Sequence, residues 1–255
     1  VAFSGCGEPP ETRARISKAE REARRKADSA ALKIGVLPTA DCLPFLIAEK
    51  CKLFDTLGVE VRLRKYHALS ECRIALKNSL VEGAVIDSTL IKILKDEGVS
   101  LNAAMPTDLT WKFLTAKKAR ITRLGQLSDK FIAADSHGDS HKLAEGAIDS
   151  LVTKKKMHIF VVQVEDPAVR LDMLSSGNID AALLPEPYAT TAMKRGARWI
   201  KEVKSSPCGV LAMRSKAMQH KTRQKQLDLF KKAVGAANDS IKRFGRGKYA
   251  DLLDY

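Results

Sequence analysis

The chain has no long apolar run. Charged residues make up 29% of its 255 positions and interrupt every candidate for the roughly 18–20 uncharged residues that a membrane-crossing helix needs. It is sparing with cysteine: Cys6, Cys42, Cys51, Cys72 and Cys208 show no Cys-x-x-Cys spacing, so buried, unpaired thiols are expected rather than a redox or zinc pair. Gly-x-Ser-x-Gly, the Walker A loop and His-Glu-x-x-His are all missing, and Gly245-Arg246-Gly247 has no strand ahead of it to make a dinucleotide loop. With Gly 15 and Pro 9 against 45% hydrophobic residues, collagenous and low-complexity chains are excluded. Acidic residues are the scarcer charge, 30 against 44 Lys and Arg, for a net +14, which favours anionic neighbours. Between Arg214 and Lys248 eleven basic residues face only Asp228 and Asp239, a local excess of +9. Phe230, Phe244 and Tyr249 are the only rings there, too few for base stacking, so solvated or lipid-facing helices fit better than a nucleic-acid site.

What is present begins with Val1-Ala2-Phe3-Ser4-Gly5-Cys6, small residues ahead of a cysteine. This resembles the end of a bacterial lipoprotein signal, with Phe3 in the usual place of Leu, and marks Cys6 as the expected lipidation site. From Glu11 to Asp28 charged residues alternate with Ala and Ser, and Ile16 is the one large apolar side chain. Nothing there can enter a core, as suits a tether, helical or coiled.

From Lys33 onward short β-type runs alternate with amphipathic helical segments, the pattern of an α/β fold with a largely parallel sheet. Leu32–Leu37, Val59–Leu63 and Gly83–Ile86 read as strands, with helices over Leu43–Phe54 and Ser70–Ser79. Adding 98 to each number maps them onto Phe131–Ala134, Ile159–Val162, Asp180–Leu184 and a helix facing Leu143, Ala147, Ile148, Leu151 and Val152 inward. Two similar lobes are therefore expected: residues 32–115 with 208–255, and 116–207, after a 1–31 anchor and tether. Trp111–Ala116 leads into the second unit and Gly209–Arg214 leads back. Two crossings make a hinge, and a hinge permits closure on a ligand.

Specific segments then appear in order: Leu32-Lys33-Ile34-Gly35-Val36-Leu37-Pro38, Ala48-Glu49-Lys50 before Leu53-Phe54, Leu124-Gly125-Gln126-Leu127, Ser176-Gly177-Asn178-Ile179-Asp180-Ala181-Ala182, and Pro185-Glu186-Pro187-Tyr188. In these the chain resembles the two-lobed (type 2) periplasmic solute-binding proteins of ABC importers, near the sulfonate, taurine and thiamine-precursor binders. The resemblance covers about Leu32 to Arg214. It implies capture of a small molecule between the lobes, delivery to an importer permease, a lipid-anchored monomer at the periplasm or cell surface, and no enzyme activity or cofactor. The same fold also serves enzymes such as menaquinone-pathway and thiamine-pyrimidine synthases; the clustered cysteines of the latter are missing. Three places depart from the family: Ser79 stands where Gly is usual, Lys50-Cys51-Lys52 lacks the usual Gly before the aromatic, and Glu82 stands where Asp is usual.

In an open parallel sheet ligands lie beyond the C-terminal strand ends. That selects Thr39 and Asp41, then Asp87, Ser88 and Thr89, then Thr107, Asp108 and Trp111; in the second lobe it selects Ser136, His137, Asp139, Ser140 and His141, then Glu186 and Tyr188. Asp41 and Asp139 also read as helix N-caps, and Tyr188 as packing. Glu186, held between two prolines, is the expected ligand contact. His137-x-Asp139-x-His141 admits a metal, but residues two apart share no helix face, and plain hydrogen bonding is expected instead. With five carboxylates and no Lys or Arg among these residues, the ligand is expected to be neutral or cationic and rich in N–H donors, such as an aminopyrimidine or amine; a sulfonate would call for an Arg fork.

Overall fold

A computed structural model describes residues 18–152 and 159–254; Cys6 and the rest of the expected anchor lie outside them. The chain divides into two units between Ala31 and Leu32. The first contains the charged helix α1 (Lys18–Ala30).

The second unit holds two five-stranded sheets. In chain order it runs β1 (Leu32–Val36), α2 (Leu43–Lys50), α3 (Leu53–Thr56), β2 (Val61–Lys65), α4 (Leu69–Lys77), β3 (Gly83–Asp87), α5 (Ser88–Asp96), β4 (Leu101–Pro106) and β5 (Lys112–Thr115). It continues with β6 (Lys130–Ala134), α6 (Asp139–Val152), β7 (Ile159–Gln163), α7 (Pro167–Ser176), β8 (Ala181–Leu184), α8 (Tyr188–Lys194), β9 (Arg198–Trp199), β10 (Gly209–Arg214) and α9 (Lys221–Phe244). The offset of 98 carries β1 onto β6 and β2 onto β7 residue for residue. Register follows: Leu32 pairs with Val61 as Lys130 pairs with Ile159, and Ile34 pairs with Gly83 as Ile132 pairs with Ala181.

The strand orders are β2-β1-β3-β10-β4 and β7-β6-β8-β5-β9. The fourth strand of each sheet thus comes from the other half of the chain, antiparallel to its neighbour: β10 on β3 and β5 on β8. Sequence reasoning placed residues 112–115 with the first lobe; their hydrogen bonds lie in the second sheet. Both faces of the second sheet are covered. Ile132 and Ala134 join one apolar cluster and Ala133, between them, joins another, which is why β6 reads as a continuous apolar run rather than an alternating one.

Equivalent residues do equivalent work. The acidic residue ahead of the third strand of each repeat accepts a backbone N–H from the first: Lys33 N donates to Glu82 at 2.8 Å, and Phe131 N to Asp180 at 3.0 Å. Glu82 therefore fills the role expected of Asp. Gly177 ends α7 at φ 81°, a left-handed turn that glycine adopts without strain. Lys52 and Ser79 also have left-handed backbones, φ 54° and 60°, which explains the family's preference for Gly at Ser79 and within Lys50–Lys52. At Lys52 the helix expected over Leu43–Phe54 divides into α2 and α3. The second strand begins two residues later than expected, because Val59 is buried and its N–H closes the α3 turn on Phe54 O at 3.0 Å. The strand β9 stops at Trp199, and Val203 N turns back to Ile200 O at 3.3 Å.

Candidate functional site

The seam between the lobes is built from loops at the C-terminal strand ends, and the lobes touch in a pseudo-symmetric pair of contacts. The loop after β1 donates Ala40 N to Glu186 O, after β8, at 2.8 Å. The loop after β6 meets the start of α5: Asp139 N donates to Asp87 Oδ2 at 2.7 Å, Ser88 Oγ donates to Asp139 Oδ2 at 3.1 Å, and Thr89 Oγ1 donates to the same carboxylate. Asp87 Oδ1 caps its own helix by accepting from Leu90 N at 2.9 Å. Each helix start thus receives a carboxylate, one of them across the seam, as the unpaired amides and helix dipole favour. Burial, then the neighbouring Asp139, pushes the Asp87 carboxyl up to about 7, against the opposing pull of its two N–H bonds.

Neither Asp41 nor Asp139 is an N-cap. Asp41, fully buried, accepts from Thr107 Oγ1 at 2.8 Å through Oδ2, and its Oδ1 has no partner. Burial raises its carboxyl; the Thr39 hydroxyl stands near enough to oppose that, though outside hydrogen-bond geometry. Ser140 faces inward rather than to the seam: it accepts from Asp135 N at 3.0 Å and donates to Asp135 Oδ2 at 2.5 Å. The repeat explains this, because Cys42, 98 positions earlier, accepts from Leu37 N in the same way at 3.4 Å. His141 is held by Asp135 O at 3.1 Å and Glu145 at 3.2 Å, and exposed His137 bonds Ser136 Oγ at 2.6 Å. The three residues of His137-x-Asp139-x-His141 therefore have separate partners, and no group of three potential metal ligands occurs among the described residues.

Glu186 is engaged locally. Oε1 pairs with Lys112 Nζ at 2.5 Å, and Oε2 accepts from Thr190 N at 3.0 Å in the first turn of α8. Burial draws its carboxyl upward, but the bonds from Lys112 and Thr190 bring it below the usual range. Tyr188 packs beside the second apolar cluster, where burial raises its hydroxyl to about 12.

Sequence reasoning missed the cations. Lys112 meets Glu186, Arg246 pairs with Asp108, and Arg170 is 1% exposed at the seam. Arg170 Nη1 donates to Leu183 O at 2.6 Å and Nη2 to Glu165 O at 3.3 Å; its Nε has no partner, and its guanidinium lies 5.2 Å from the centre of the Trp111 ring. Burial lowers its pKa to about 10. The signal was in the repeat: Arg170 maps onto Cys72, a buried position of α4, so a cation replaces a core thiol. Trp111 Nε1 is likewise buried without a partner.

Thr39, Trp111 and Arg170 surround a space of only about 10 Å³, with His67, Leu109 and Glu165 among its walls. A separate cavity of about 580 Å³ lies between Ser88 and Ile91 of the first lobe, Asp139 and Lys142 of the second, and the crossing segment Ser205–Val210. Burial, then Asp139 and Asp87, raises the Cys208 thiol at its edge, so this sulfur stays protonated.

Residues 25–116 match the NMT1-like family. No protein of curated function matches the chain. Among solved structures, the ligand-binding component of an ABC-type import system from Staphylococcus aureus, with zinc bound, superposes with a TM-score of 0.68 at 19% identity, covering 88% of this chain and 84% of that one. The alkanesulfonate-binding protein SsuA from Xanthomonas axonopodis pv. citri, bound to MOPS, gives 0.69 at 16% identity over 88% and 78%. The periplasmic nitrate-binding protein NrtA from Synechocystis gives 0.66 at 14% over 82% and 61%. The chain has the two-lobed fold of these binding proteins.

Proposed function

We propose that the chain is the extracytoplasmic solute-binding component of an ABC importer, holding one small molecule between its lobes and presenting it to a permease. One observation carries this reading: at the seam, Thr39 Oγ1, Asp41 Oδ1, Trp111 Nε1 and Arg170 Nε are buried without partners. A buried polar atom left unsatisfied costs about 1–3 kcal/mol, which a ligand bonding to it recovers. Trp111 Nε1 and Arg170 Nε donate, Asp41 Oδ1 accepts and Thr39 Oγ1 does either; the space beside Thr39, Trp111 and Arg170 is only about 10 Å³ here, so a ligand reaches these atoms as the lobes part, offering both an acceptor and an N–H donor, as an aminopyrimidine does. The cations at the seam do not change its charge class. Lys112 and Arg246 are neutralised by Glu186 and Asp108, and Arg170 gives Nη1 to Leu183 O and Nη2 to Glu165 O while its Nε has no partner. The ligand is neutral or cationic. The reading is of a binder, not an enzyme, and of a monomer anchored through lipid at Cys6; Cys6→Ala releases it from the membrane fraction, and unchanged fractionation refutes the anchor.

The test is a thermal-shift screen of the full chain with a hydroxymethyl aminopyrimidine, simple amines, taurine and zinc. A true ligand at a hundred times its Kd adds about 2.7 kcal/mol. Trp111→Phe, which removes the unpaired N–H together with the five-membered ring of the indole, weakens it by about tenfold while the chain still folds. Preference for taurine over every amine, or detection of a converted product, overturns the reading.

A further inference from the structure

Apart from Arg246, which pairs with Asp108 at the seam, the basic C-terminus has no part in the seam chemistry above. Helix α9 buries Leu227, Phe230, Ala233, Val234 and Ala237, and Phe230 meets Phe45 and Phe54, each at 5.4 Å between ring centres. This anchors one side of the helix on the first lobe and turns the other outward. Lys221, Lys225, Lys232, Lys242 and Arg243 are exposed there, and Arg246 and Lys248 follow in the 3-10 turn Arg246–Leu253. Ion pairs account for some of this charge: Asp239 takes Lys242 at 3.1 Å, Asp108 takes Arg246, and Glu82 takes Arg223 at 3.7 Å. Arg243 and Lys248 instead flank a ring. Phe244 is 49% exposed, with the Arg243 guanidinium 5.1 Å and the Lys248 ammonium 4.0 Å from its centre, and Lys248 also lies 5.7 Å from the ring of Tyr249.

We propose that this corner, Lys242 to Tyr249, is a docking surface for anionic phospholipid. A large ring half exposed among cations has no use in water, but at a bilayer surface the ring enters the headgroup layer while the cations meet phosphates. Exposed lysines and arginines suit a fluid sheet of negative charge, which needs no fixed partner geometry. Nucleic acid fits less well, since a stacking base has to displace the two cations already over the ring. The surface lies on the first lobe and its argument does not depend on what the seam binds.

The experiment uses the full chain carrying Cys6→Ser, so that no acyl group at that position contributes. It is floated with vesicles of phosphatidylcholine alone or with about one-third phosphatidylglycerol, at low and physiological salt. Binding at least about tenfold stronger to the anionic vesicles, and weakened by salt, is expected. Arg243→Glu with Lys248→Glu removes that preference, Phe244→Ala lowers binding by about fivefold, and Lys221→Glu with Lys225→Glu, at the far end of α9, has a much smaller effect. Melting temperatures of all variants stay at the parent value, because every altered side chain is exposed. Equal binding to both vesicles, an undiminished Arg243/Lys248 double variant, or tighter binding to single-stranded DNA than to anionic vesicles overturns the proposal.

Discussion

Asp87 and Asp139 hold the lobes together by exchanging roles: the Asp87 carboxylate accepts the Asp139 backbone N–H at 2.7 Å, while the Asp139 carboxylate accepts the hydroxyls of Ser88 and Thr89. Two carboxylates this close repel when both are ionised, and Asp135 adds a third negative neighbour. The contact is thus a latch whose strength depends on a proton.

The latch predicts a pH dependence. Asp87 titrates near 7 in the folded chain and near about 3.9 when unfolded. Between those values the folded state keeps a proton the unfolded state has released. The contribution of Asp87 to stability therefore falls as pH rises from about 4 to about 7, by at most a few kcal/mol, and is flat above. Asp87→Asn mimics the protonated acid. The difference in melting temperature between parent and variant should change between pH 5 and pH 8, with other groups cancelling; a constant difference contradicts the latch.

Gly138 should tolerate no side chain. A methyl group there would lie 2.5 Å from Asp87 Oδ2 and 2.7 and 2.9 Å from the Asp135 oxygens. Gly138→Ala is expected to cost about 1–3 kcal/mol and to enlarge the radius of gyration by parting the lobes. Scattering and melting curves identical to the parent would show that the seam yields freely.

Glu186→Gln separates two roles for that residue. With Oε1 on Lys112 and Oε2 on Thr190 N, the loss is expected in stability, about 1 kcal/mol, with affinity for the seam ligand kept. Because its folded pKa is depressed, that contribution is present above the unfolded carboxyl pKa and lost as pH falls through the folded one. Calorimetric titration showing weaker binding with unchanged melting would return Glu186 to direct ligand contact.

Ser79→Gly should stabilise the chain. At φ 60° a residue with a Cβ gives up roughly 1–2 kcal/mol, and glycine recovers most of it after its larger unfolded-state entropy, for a net gain of a few tenths to 1 kcal/mol. Chemical denaturation measures it, and a loss would mean that the Ser79 side chain has work of its own.

Much of the fold was legible because the repeat supplied a second reading of each element. Leu32–Val36 and Lys130–Ala134 alone are ordinary strands; their common offset to the next strand identifies a lobe. The seam was read less well. The strand-end loops expected to meet a ligand also carry the contacts between the lobes, but which side chains cross the seam depends on register between lobes, and no local pattern encodes that. Ser140 looked like a ligand contact because hydroxyls at helix starts usually face outward, yet it inherits the inward place of Cys42. Arg170 was passed over because α7 lies one strand away from the loops considered, although its counterpart Cys72 marks it as a buried position.

The exchange of β5 and β10 between the sheets bears on how the chain is made. Until residue 214 has left the ribosome, the first sheet lacks the strand that sits between β3 and β4, so it has a gap rather than an edge. The first lobe cannot complete itself ahead of the second. Completion of the first lobe is therefore a late event, after every strand of the second (residues 112–199) has emerged, and a nascent or truncated chain exposes the flank of β3 to whatever chaperone or translocation machinery attends it.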